Sequence, residues 1–255
     1  MALVNYSSSS DDDEEDNAKP PEPKIMKISP IQKLPLPSAI SSMNKVFHVA
    51  PEDDPSKHGG RIRSFEHERG NWATLIFIPV DLNIMDELQM MIQNALHKSI
   101  DLKQSENIHL SLTKTVILRH HWIKLFVKSL QETLVSSEHF PVEFQSLNVY
   151  LNEERTRTFI GLTVGDVYFE KLHKLMLKMD KLMNEFQLNT FYENPSFHAS
   201  IMWCLGDQES LIKEKLPELN AKLSEMRETN ADDFQIKVNQ IKCNTGNKSF
   251  NFELK

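Results

Sequence analysis

Two tripeptides in this 255-residue chain set an imidazole and a hydroxyl two positions apart inside apolar alternating runs: His109-Leu110-Ser111 in IHLSLT and His198-Ala199-Ser200 in FHASIMWCL. Along an extended strand residues i and i+2 share a face. Each His and Ser would therefore project together, while Ile108, Leu110 and Leu112, or Phe197, Ala199 and Ile201, turn to the core. Two such strands facing one another would surround a cleft with two imidazoles and two hydroxyls, and a phosphodiester fits that set. In-line transfer at phosphorus needs a base for the attacking oxygen, an acid for the leaving oxygen and donors for the non-bridging oxygens. Histidine suits both proton roles, because an ordinary pKa of about 6.5 lets one neutral and one protonated ring coexist near neutrality. The serines would donate to phosphate oxygens. Both motif strands lack acidic residues, so neither a metal nor another cofactor is expected. A third match, His97-Lys98-Ser99, sits at a predicted helix end, where i and i+2 do not share a face. Spacing alone leaves open that both motif histidines are satisfied polar groups at strand ends.

The surrounding periodicities supply elements to hold these strands. Trp72–Val80, Ile108–Thr113, Val142–Leu151, Thr156–Val164 and Phe197–Leu205 read as strands. Helical stripes run through Leu82–Leu96, His120–Ser136, Leu172–Phe186 and Glu209–Met226, the last expected to kink or break at Pro217. Phe234–Ile241 and Lys248–Leu254 read as a closing hairpin about Asn244–Asn247. The order is βαβαβ followed by βαβαββ, which suggests a duplicated unit. The expected fold is α+β: two pseudo-symmetric lobes, about 70–151 and about 156–255, each an antiparallel sheet with helices packed outside and the cleft between them.

Composition bounds the rest. Hydrophobic residues make up 40% and charged residues 25% of the chain, close to globular averages, and no apolar run is long enough to span a bilayer, so no membrane partner is expected. Residues 1–45 combine a Ser7–Ser10 run, the acidic block Asp11–Asp16 and many prolines, with no glycine; the expectation is a disordered tail before a domain at 46–255. The N-terminus lacks the basic and apolar regions of a signal peptide, and Cys204 and Cys243 have no CxxC spacing, which points to a reducing intracellular compartment. A net charge of −7 argues against coating nucleic acid by bulk electrostatics, but not against a compact site for one nucleotide end.

At the two motifs the chain resembles the two-histidine (2H) phosphoesterase superfamily, and within it the U6 small nuclear RNA phosphodiesterase family. The segments that carry the likeness are SKHGGRIRSFEHERGNWA (56–73), HLSLTKTVILRHHWI (109–123), RTRTFIGL (155–162), FYENPSFHASIMWCLGD (191–207) and GNKSFNF (246–252). The resemblance implies a nuclear, metal-independent 3′-to-5′ exoribonuclease, active as a monomer. It would trim uridines, and less readily adenosines, from the tail of U6 RNA, leave a 2′,3′-cyclic phosphate and so serve splicing. It makes His109 and His198 the catalytic pair and puts Ser111 and Ser200 on the phosphate. Tyr192 would stack on a terminal base, with Asn194, Pro195, Ser196 and Phe197 lining the nucleotide pocket and the intervening Leu110 and Ala199 counted among the substrate contacts. Glu153 stands where some family members carry Gln; a carboxylate only accepts hydrogen bonds, which leaves the base preference open. Lys57, Arg61, Arg63, Arg69, Arg155 and Arg157 would guide the RNA backbone. Hydrolysis of 2′,3′-cyclic phosphates, or a catalytically idle RNA-binding module, are the competing functions.

Overall fold

A computed structural model describes residues 54–60, 65 and 68–255; the expected tail lies outside them, as do Arg61, Arg63 and the side chain of Lys57. Ten strands alternate with four α-helices among the described residues. In chain order they are β1 (Asn71–Pro79), α1 (Met85–Leu96), β2 (Lys103–Gln104), β3 (His109–Ser111), β4 (Val116–Arg119), α2 (Ile123–Leu134) and β5 (Phe140–Leu151). The second half adds β6 (Arg157–Val164), α3 (Phe169–Glu185), β7 (His198–Leu205), α4 (Glu209–Thr229), β8 (Gln235–Val238), β9 (Gln240–Thr245) and β10 (Lys248–Glu253).

The strands pair antiparallel in the order β10-β9-β1-β3-β7-β6-β5-β8, with β4 also on β1 and β2 also on β7. The α+β class is as expected, and the two motif strands meet within one curled sheet at the β3–β7 seam, Leu110 opposite Ala199. Both seam residues are fully buried, which for Leu110 alone is worth about 1.5–3 kcal/mol of transfer free energy. Outside the sheet α1 packs beside α4 and α2 beside α3.

The lobe boundaries differ from those expected. Chain order puts β5 in the first half, but its Phe144–Leu151 stretch pairs with β6 in the second. The short Asn152–Thr156 connection explains this, since a hairpin is the least costly partner for a strand. The C-terminal hairpin moves the other way: β9 lies on β1, and the buried hydroxyls of Thr74 and Thr245 hydrogen-bond across that pair at 2.8 Å. The expected strand Phe234–Ile241 is accordingly two strands. β8 pairs with β5 and β9 with β1, near opposite ends of the strand order, and only Asn239 separates them. The sheet must curl to let a one-residue link bridge those ends.

Pro217 does not break α4, which runs unbroken from Glu209 to Thr229. The proline lies on the exposed side, where water can satisfy the carbonyl left without its amide donor. The helix is instead anchored on its inner side by Asn220, whose Oδ1 accepts from the Leu147 amide at 2.7 Å while Nδ2 donates to the Leu147 carbonyl at 3.1 Å. β8 covers only the beginning of β5, so the Asn220 side chain completes the ladder beyond it.

Candidate active site

The seam places the two motif strands side by side. Antiparallel register about the Leu110–Ala199 pair sets His109 across from Ser200 and Ser111 across from His198, so each imidazole faces the other strand's hydroxyl. All four line one cavity of about 740 Å³, together with Glu153, Tyr192, Asn194 and Ser196. Four of the expected contacts do not line it. Leu110 and Ala199 alternate to the opposite face and are fully buried. Phe197 is buried too, beside Phe169 and parallel to Phe191, and anchors the loop that precedes β7; Pro195 in that loop also stays off the cavity wall.

Both histidines are oriented by the same device. His109 Nδ1 donates to the Asn107 carbonyl at 2.7 Å and His198 Nδ1 donates to the Ser196 carbonyl at 2.7 Å. A carbonyl can only accept, so Nδ1 carries a proton in each ring and Nε2 is left to exchange one.

Their surroundings differ. His109 lies at a tilt beside Phe77, with ring centres 5.0 Å apart. His198 is stacked face to face on Tyr150, centres 3.5 Å apart and planes within 9°, and the Tyr150 hydroxyl is 3.2 Å from Ser196 Oγ. Gly161 on β6 makes room for this stack: a Cβ there would sit 3.0 Å from His198 Cδ2 and 3.1 Å from Tyr150 Cε2. Gly161→Ala must therefore push the imidazole by a few tenths of an ångström. We expect activity to fall roughly tenfold, as small misplacements of catalytic groups are costly. The double variant Gly161→Ala with Tyr150→Leu, which removes the contact with the Tyr150 ring but loses the stack, should not restore it. Full activity in Gly161→Ala would show that the stack does not position His198.

Burial holds the His198 pKa below its ordinary value; the bond to the Ser196 carbonyl opposes this and the His109 charge adds to it. A histidine whose folded-state pKa lies below its unfolded one contributes stability that is present above the unfolded value and lost as the pH falls through the folded one. Histidine NMR should accordingly find the His198 ring titrating below about 6.5. Thermal stability should decline on acidification through that window less steeply in His198→Gln than in the parent chain. A midpoint above the ordinary value would contradict the assignment. Burial also pushes the Tyr150 phenol up from its ordinary value.

Two irregularities shape the cavity walls. Between Ile160 and Gly161 the β6–β7 register shifts, with Ile160 opposite Met202 but Gly161 opposite Ser200, so Ile201 is an extra residue on β7. Its carbonyl is taken by the buried Gln89 side chain at 3.0 Å and by the Ser105 amide at 3.1 Å. The bulge turns both Ile201 and Met202 inward and brings Trp203 to the cavity. On the other side β3 and β4 lie end to end along β1, where the three-residue step from Thr74 to Phe77 is matched by the five-residue step from Ser111 to Val116. Thr113 Oγ1 accepts from the Ile76 amide at 3.0 Å inside this excursion, which carries Lys114 to the cavity.

Lys114, Tyr150 and Trp203 are cavity residues that sequence reasoning missed. A lone glycine within a strand run, Gly161, was the available signal for a close approach. Of the basic residues, Arg157 lines the cavity. Arg155 does not: it pairs with Asp207 at 2.6 Å and Glu209 at 3.3 Å, which fastens the β5–β6 turn. Arg69 sits in the exposed turn before β1. Among the described residues no three His, Cys, Asp or Glu side chains converge as metal ligands. Cys204 and Cys243 are both buried and free, the latter with its thiol pushed up to about 12 by burial.

The HVSL family, described as an uncharacterised conserved protein, matches residues 34–253. The chain is 44% identical over 227 residues to U6 snRNA phosphodiesterase 1 of Danio rerio, covering 87% of this chain and 81% of that one. It is 42% identical over 205 residues to that of Drosophila melanogaster, covering 80% and 78%, and 38% identical over 229 residues to that of Homo sapiens, covering 89% and 86%. Among solved structures, Kluyveromyces marxianus Usb1 with uridine monophosphate shares the fold, with a TM-score of 0.51 at 13% identity over 72% of this chain and 98% of that one.

Proposed function

From the premise that the chain belongs to the HVSL family of U6 snRNA phosphodiesterases, we propose that it is a 3′-to-5′ exoribonuclease that trims the oligo(U) tail of U6 snRNA and leaves a terminal 2′,3′-cyclic phosphate. The observation that carries this reading is the pair of imidazoles on one cavity, each with its Nδ1 proton committed to a backbone carbonyl and each across from a serine. Nothing in that set demands a nucleophile from the protein. The 2′-hydroxyl of the penultimate nucleotide gives its proton to His109 Nε2 as O2′ bonds to phosphorus. The bond from phosphorus to O5′ of the last nucleotide breaks, and His198 Nε2 gives O5′ its proton. Ser111 and Ser200 donate to the non-bridging oxygens. The pair ends with its protons exchanged, and water resets it.

This assignment of base and acid follows the family resemblance. The lowered His198 pKa suits a ring that must surrender a proton, and an arriving phosphate anion would favour its charged form. A relative of the same fold was solved with uridine monophosphate, which agrees with a pocket for one nucleotide end. In this reading the chain acts as a monomer in the nucleus, without a metal, takes uridine and less readily adenosine tails, and supports splicing through U6 maturation. The test is a short RNA ending in oligo(U): a ladder of products shortened from the 3′ end, bearing 2′,3′-cyclic phosphates, is expected. Internal cleavage, or products ending in free 3′-hydroxyls, would overturn it.

A further inference from the structure

The wet face of the motif strands does not end at the cavity. Across an antiparallel pair, directly opposed residues send their side chains to the same face. Ser111 on β3 is opposite Phe77 on β1, Phe77 is opposite Lys242 on β9, and Lys242 is opposite Asn251 on β10. With His198 across from Ser111 at the seam, five side chains from five neighbouring strands form one row on the cavity face. A second row lies beside it, Leu75, Asn244 and Ser249, and Leu75 lines the cavity itself. The alternation of burial along β9 fits this facing: Ile241, Cys243 and Thr245 are fully buried, Lys242 is half-buried, and Asn244, Ser249 and Asn251 are exposed. Among the described residues no ion pair or hydrogen bond engages the Lys242 ammonium. Glu253 on β10 shares the face but stands opposite Gln240, on the side of the row away from Leu75.

We propose that this row is the bed of the RNA strand upstream of the scissile bond, with Lys242 on the phosphate 5′ of the penultimate nucleotide and the Asn244 and Asn251 amides beside it. The proposal rests on the reaction proposed above, which sets its direction. There O2′ gives up its proton at His109, on β3 beside β1, and O5′ leaves at His198, on β7 beside β6. The chain 5′ of the break therefore lies toward β1 and β9, and the departing nucleotide toward the second half of the sheet. Neighbouring strands are about 4.8 Å apart, which puts the Lys242 backbone about 10 Å from that of Ser111. One step along a nucleotide chain together with the length of a lysine side chain covers that gap, so the ammonium meets the next phosphate rather than the scissile one. Asparagine amides both donate and accept, so they suit phosphate oxygens and 2′-hydroxyls without reading a base. A cation held in register with the site, rather than a basic surface, is what a chain of net charge −7 can offer the RNA backbone.

Binding of two uridine dinucleotides by the full-length protein tests this without turnover. Both carry a 2′-deoxy first sugar, which removes the attacking oxygen; one begins with a 5′-phosphate and the other with a 5′-hydroxyl. The parent should bind the phosphorylated form about three- to tenfold more tightly at low ionic strength, with the preference shrinking as salt screens an exposed contact. Lys242→Met should bring the two affinities together, and Lys242→Arg, which keeps the charge, should hold them apart. On longer RNA, Lys242→Met should raise KM rather than lower kcat. Equal binding of the two forms by the parent, or a preference that survives Lys242→Met, overturns the proposal. So does loss of the preference in Lys103→Met instead, which would lead the upstream strand past Trp203 on β7, where the Lys103 ammonium lies 5.1 Å from the ring centre. The two readings fail separately: phosphate discrimination without RNA trimming removes the exonuclease and leaves the upstream site, whereas trimming without discrimination does the reverse.

Discussion

Alanine at His109 or at His198 is expected to lower oligo(U) trimming by about 10²–10⁴-fold each, the usual contribution of a positioned proton-transfer group. The double variant should be hardly worse than either single one, because the two rings serve opposite ends of one displacement and neither helps much without the other. The physical basis is the shared seam: one register pair, Leu110 with Ala199, sets both imidazoles on the same face. Leaving-group chemistry separates the roles. An RNA analogue whose departing oxygen has a low pKa needs no acid, so it should rescue His198→Ala and not His109→Ala. Rescue of His109→Ala instead would exchange the base and acid. Independent, multiplying losses in the double variant would show that the rings do not act in one step. Unfolding transitions of the variants guard against a trivial cause, and His198→Gln serves where alanine leaves the Tyr150 ring without its stacking partner.

A single missing oxygen on the substrate should have an effect as large. RNA carrying a 2′-deoxy sugar at the penultimate position is expected to resist removal of its last nucleotide almost completely, while a 2′-deoxy sugar at the last position is removed normally. In the proposed reaction the attacking atom belongs to the RNA, so its absence cannot be compensated by better binding. Chelator should leave the rate on unmodified RNA unchanged. Efficient trimming of the modified RNA would require a nucleophile from water or from a motif serine. Ser111→Ala and Ser200→Ala would then show which: a serine nucleophile predicts complete loss in one variant, whereas phosphate donors predict partial loss in both.

The motif strands were legible in the sequence because their chemistry is periodic. A polar His and Ser at i and i+2 in an apolar run has few interpretations other than a strand with one wet face. The neighbours of each strand were not legible. A period of two is identical whichever strand lies alongside, so β5 and the C-terminal hairpin were placed in the wrong halves, and the split at Asn239 passed unseen. Pro217 misled for a related reason: its effect depends on whether the freed carbonyl meets water or core, which a one-dimensional pattern does not contain. Tyr150 and Lys114 belong to the same class. The first reaches His198 across Gly161, and the second reaches the cavity by the irregular step between β3 and β4, so each depends on a register shift or a missing side chain. Of the four contacts implied by the resemblance that lie off the cavity wall, Leu110 and Ala199 are sent inward by strand alternation, and Pro195 and Phe197 belong to the loop before β7.

The curl that lets Asn239 join β8 to β9 also governs how the chain is made. β1 is synthesised early, yet the strand that covers its open side, β9, is made much later: the Thr74–Thr245 bond spans 171 residues. At about 5–20 residues per second on the ribosome, β1 waits roughly 10–30 s for its partner. Until then one apolar edge is a template for pairing with other chains, a hazard that a chaperone must shield. Early stop codons follow the same logic. A message truncated after Val238 would encode every residue that lines the cavity, but its product would lack β9 and β10 and leave β1 unpaired on that side. Nonsense changes in codons 240 to 245, which cut into β9, are therefore predicted to remove the protein from the cell through degradation, as surely as changes at either histidine remove its chemistry.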